Sequence, residues 1–77
     1  MARSSAEIFR ERFETIELQA RLKRSHQHVA TAVAAFVRGD FRAAAEAYRL
    51  AAELNPEDVT LVRKLEEVEK LAKRYRR

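Results

Sequence analysis

Two histidines lie one residue apart, His26 and His28, and they are the first side chains to weigh for chemistry. Imidazole binds metals and moves protons near neutral pH. On a helix, however, residues two apart point to different sides, whereas zinc-binding pairs sit at i,i+4. The chain has no cysteine to complete a ligand set, so no metal is expected. Catalysis finds no other foothold. There is no glycine-rich phosphate loop, since Gly39 is the only glycine, and no nucleophile stands beside a base in a recognisable setting. Glu and Arg abound, but at helical ion-pair spacings such as Glu17 with Arg21, Glu66 with Lys70, and Glu69 with Lys73. Three helices are also expected to leave no room for a pocket of about 300 Å³. The expectation is a non-enzymatic protein with no cofactor and no small-molecule substrate.

Charge offers a second possible chemistry. Sixteen basic and twelve acidic residues give a formal net charge of +4. A small basic helical protein that binds nucleic acid is therefore the alternative reading, and it predicts salt-dependent association. Yet the charges are interspersed, which suits a solvated surface. The basic run Lys73, Arg74, Arg76 and Arg77 complements the negative end of a last helix. The absence of cysteine fits a reducing cytoplasm. No apolar run approaches the roughly 20 residues that cross a bilayer, and the N-terminal residues lead into charge, not into a signal-peptide core.

What remains are apolar residues, and their spacing sets the elements. Ala, Glu, Arg and Leu dominate, and Gly39 and Pro56 are the only strong breakers, so the fold class is all-α. Ser4 and Glu7 have capping-box spacing, which starts a helix near Ser5. Phe9, Phe13, Ile16 and Ala20 then fall on one face, with Leu18 and Leu22 as a flanking strip. Nothing forces a break before Arg38. A continuous helix of about 50 Å and a break at Ser25, a good N-cap, both fit. From Val29 to Val37 the chain is almost wholly apolar, so this stretch is buried on more than one side. Gly39-Asp40 closes it, and a second helix should run from about Phe41 to Leu54. Asn55-Pro56 ends that helix, and a third should start at Pro56 or Glu57 and reach about Tyr75. Leu61, Leu65, Val68, Ala72 and Tyr75 make its apolar face. With no linker or low-complexity stretch, residues 1–77 read as one domain: an N-terminal helix or extension over 5–24, a hairpin over 25–56 and a C-terminal helix over 57–75. A core this small is marginal unless packing is very good or another chain helps.

Gly39-Asp40-Phe41, followed by Ala44, Tyr48, Ala51, Leu54 and Pro56, resembles the second helix of a tetratricopeptide repeat (TPR). The resemblance covers roughly residues 25–56. Its first helix departs from the family pattern, with His28, Thr31 and Ala35 where aromatic, Leu and Tyr are usual, although Ala32 keeps the small packing residue. Only one repeat is present, whereas solenoids need about three. A single degenerate repeat also resembles C-terminal appendages of some chaperone-type proteins with a J-domain. The His-Pro-Asp motif of that domain is absent, so no co-chaperone activity follows.

The resemblance implies an adaptor, assembly or chaperone-type interaction module. In the family the first helix of a repeat lines the concave face, which here implies His26, Val29, Val33, Phe36 and Val37. Valine and phenylalanine stand where carboxylate-clamping members carry Lys, Arg and Asn. An apolar groove suits an amphipathic partner helix. Phe9, Phe13 and Ile16 would serve as a homodimer seam or partner dock if the first helix is continuous, and as core if it folds back. The candidate partner-binding residues are Phe9, Phe13, Ile16, Val29, Val33, Phe36 and Val37.

Overall fold

The computed structural model describes residues 4–75. They form three helices: α1 (Ser5–Val37), α2 (Phe41–Leu54) and α3 (Val59–Arg74). The fold is all-α, as expected. Packing is sequential, with α2 against α1 and α3 against α2.

α1 runs 33 residues without a break. Ser4 caps it, its hydroxyl oxygen accepting from the Glu7 amide at 3.3 Å. Ser25 starts no helix. It lies mid-helix, fully buried, and its hydroxyl donates to the Ala51 carbonyl of α2 at 2.9 Å. That carbonyl also accepts from the Asn55 amide at 3.0 Å, so both of its lone pairs are used. A hydroxyl that bonds across helices leaves the intrahelical ladder intact, which is why the break at Ser25 does not occur.

The turn between α1 and α2 is tight. Gly39 has φ 78, the left-handed conformation that glycine adopts without penalty. The Asp40 amide donates to Ala35 at 2.9 Å, and the Gly39 amide to Phe36 at 3.0 Å. These are the paired bonds of a Schellman ending. The Asp40 carboxylate then accepts from the Ala43 amide at 3.1 Å and caps α2. One residue thus closes one helix and opens the next.

α3 begins later than its sequence suggests. Proline is tolerated in a first helical turn, but here Pro56 and Glu57 occupy a β-turn, in which the Asp58 amide donates to the Asn55 carbonyl at 3.2 Å. Asp58 is the cap, accepting from Thr60 at 3.0 Å and Leu61 at 3.3 Å. A side chain that satisfies two free amides outcompetes the weaker start signal of proline.

The core is Ala32, Ala35, Ala44, Ala45, Ala47, Tyr48, Ala51, Leu61 and Val68, with Val29, Ala43, Ala52 and Leu65 against it. Alanine on both sides lets α1 and α2 approach closely. At the turn end, Phe41 meets Phe36 edge-on at 5.3 Å and Tyr75 at 5.8 Å. Glu69 pairs with Arg49 of α2 at 3.5 Å rather than with Lys73 one turn on. Lys64 pairs with Glu67 at 3.8 Å. Both pairs are exposed and contribute little. Lys73 and Arg74 do stand in the last turn of α3, whereas Arg76 and Arg77 lie outside the described residues.

Candidate interaction surface

α1 is about 50 Å long and α2 about 21 Å, from 1.5 Å per residue. More than half of α1 therefore outruns the hairpin. Every residue from Ser4 to Arg21 is exposed, and Leu22 is the first with partial cover. This arm carries Phe9 at 72% exposure, Ile16 at 63% and Phe13 at 52%. Because the helix is continuous, the arm does not fold back, and these side chains face solvent.

Their direction matters as much as their exposure. At about 100° per residue, Phe9, Phe13, Ile16 and Ala20 centre about 130° around α1 from Ser25, Val29, Ala32 and Ala35, which face α2. The arm's aromatic stripe is therefore no extension of the hairpin face. Leu18 and Leu22 do continue that face, with Leu18 left exposed beyond the end of α2.

The remaining candidates divide. Val29 is half-buried against the core and belongs to the packing. Val33 and Phe36 are on the surface. Phe36 is held by Phe41 and has the Lys64 ammonium 5.7 Å from its ring centroid, a cation–π contact. Val37, at 80%, is the most exposed large apolar residue of α1. His26 is exposed, and His28 is half-buried. The stretch from Val29 to Val37 is thus buried on one side only. Its apolar look comes from alanine: Ala32 and Ala35 face α2, while Ala30 and Ala34 face water. The structure does not bring the seven candidates into one surface. Phe9, Phe13 and Ile16 lie on the back of α1, and Val33 with Phe36 lies on a flank.

One concavity exceeds the size expected for three helices. It is open to solvent, about 700 Å³, and lined by Arg38, Gly39, Asp40, Phe41, Arg42, Ala72 and Tyr75. It lies between the α1–α2 turn and the end of α3. Its Asp40 carboxylate is engaged in capping. Among the described residues, no group of three His, Cys, Asp or Glu side chains could hold a metal ion. No described helix is long and apolar enough to cross a membrane. Comparisons with protein-family models, with curated proteins and with solved structures return no match for this chain.

Proposed function

We propose that this chain is a non-enzymatic protein-interaction module, of adaptor or assembly type, built on one tetratricopeptide-like hairpin and working through the apolar surface of α1. The observation that carries the reading is the arm: Phe9, Phe13 and Ile16 stand exposed on the part of α1 that outruns the hairpin. A contiguous apolar patch of this kind marks an interaction site. Most helical stability in proteins comes from packing of an apolar face, so a partner that covers the stripe also stabilises the arm. The repeat-like character is supported by Gly39 in its left-handed turn, by Ala44 and Tyr48 buried between helices, and by the proline turn after Leu54. The partner chemistry that suits this surface is an amphipathic helix, from another protein or from another copy.

The test combines dye fluorescence with light scattering across a concentration series. The expected result is an environment-sensitive hydrophobic dye that brightens on the dilute protein, with loss of that signal in a Phe9→Ser/Phe13→Ser variant, or an increase in mass with concentration. A chain that stays monomeric and leaves the dye dark at every concentration overturns the proposal.

A further inference from the structure

We infer that the back of α1 is a self-complementary seam, on which a second copy of this chain docks antiparallel, centred between Arg21 and Leu22. This rests on the interaction-module reading and names its partner. The seam consists of Ala6, Phe9, Phe13, Ile16, Ala20, Lys23, Gln27, Ala30, Ala34 and Val37, spaced alternately three and four apart along the whole helix. All ten are exposed. This is the 3.5-residue period of a coiled coil. On a straight helix it drifts by about 20° per heptad, which a left-handed supercoil absorbs. The α2 face lies on the other side, so the hairpin does not obstruct a partner.

The order of side chains along the seam sets the orientation. Bulk is concentrated at one end, in Phe9, Phe13 and Ile16, and alanine at the other, in Ala30 and Ala34. A parallel pair would stack phenylalanine on phenylalanine and Lys23 on Lys23, splaying one end and repelling in the middle. An antiparallel pair sets Phe9 on the partner's Ala34, Phe13 on the partner's Ala30 and Ala6 on the partner's Val37. Ile16 covers the partner's Gln27, and Ala20 covers the stem of the partner's Lys23, whose ammonium extends to water. A two-fold axis repeats each layer, as a closed dimer requires.

Charge selects the register. In the register centred between Arg21 and Leu22, Glu17 stands across from the partner's Arg24, twice. Sliding by one heptad in one direction would put Arg24 against the partner's Arg24 at the axis and carry Phe9 off the end of the seam, and sliding in the other would put Glu17 against the partner's Glu17. Residues flanking a coiled-coil seam choose partners in this way. The area suffices. Phe9 and Phe13 retain 72% and 52% of their exposure, so the four rings of a pair withdraw about 500 Å² from water. Complete burial of Ile16, Val37 and four alanines from each chain would bring the total to about 1,200 Å², where stable specific interfaces begin.

The chain has no cysteine, so introduced pairs report cleanly. The experiment is light scattering of the full chain from about 10 µM to about 1 mM, followed by oxidative cross-linking of Ile16→Cys/Gln27→Cys and of each single variant. Circular dichroism checks that each variant keeps the wild-type helix content. The expected result is a doubling of the 8.9 kDa mass and a covalent dimer from the double variant alone. Cross-linking of either single variant would mean a parallel pair, and cross-linking of Ile16→Cys/Ala34→Cys in its place would mean the slipped register. Either overturns the inference. A mass fixed at the monomer value overturns it too. In that case the interaction-module reading stands if the dilute chain lights the dye and falls if it does not.

Discussion

Ser25 is a fully buried polar side chain between two alanine-rich helices. Its hydroxyl fills space that a larger residue would overfill, and it hydrogen-bonds a carbonyl of the opposite helix. Ser25→Ala keeps the shape and loses the bond. The Ala51 carbonyl retains its Asn55 donor, so no buried acceptor is orphaned. The expected loss is about 1 kcal/mol, read as a lower urea midpoint with unchanged slope. This residue also shows where sequence reading stops. Serine caps helices and serine bridges helices, and only the partner carbonyl, 26 residues away, distinguishes the two roles. Gly39 and Asp40 were legible because their roles are local. Asp58 was local too, but proline two residues earlier offered a competing signal.

At the scale of elements, α1 is two helices in one. Residues 25–37 are anchored by Val29, Ala32 and Ala35, whereas every residue from 5 to 21 is exposed. Opening of the arm therefore costs only helix propensity and its own side-chain contacts, while opening of the anchored half breaks the core. In the dilute chain, amide hydrogen exchange should be fast from Ala6 to Arg21 and strongly slowed from Val29 to Phe36. Raising the protein concentration should extend protection into the arm. Uniform protection along α1 at all dilutions would contradict this division. The sequence gives both halves the same helical periodicity. The difference between them comes from the length of α2, which ends too early to cover the arm. The expectation that residues 29–37 are buried on several sides failed for a related reason. Alanine serves equally on covered and uncovered faces, so an alanine-rich stretch reads as core in either setting.

For the whole molecule, the arm dominates the dimensions. The radius of gyration is 17.0 Å and the longest axis 61 Å. A compact chain of this length would have a radius near 11.5 Å. Small-angle scattering at high dilution should return the larger value if the arm is helical and extended. A value near that of a compact chain would mean that the arm folds onto the hairpin and that the aromatic stripe is core. An elongated monomer of this size exposes much of its apolar surface, which is the physical reason the arm, not the hairpin, carries the proposed function.

The double use of Asp40 also bears on the order of events in time. Its amide closes α1 and its carboxylate opens α2, so the α1–α2 corner is a short-range structure that forms without a search through distant contacts. During synthesis residues 5–24 leave the ribosome before that corner exists, as a segment with no packed neighbour to stabilise it. The hairpin must follow before α1 has a fixed half to extend from. If the arm pairs as proposed, that assembly would be deferred until the chain's own fold is in place, and newly made chains would not pair while still incomplete.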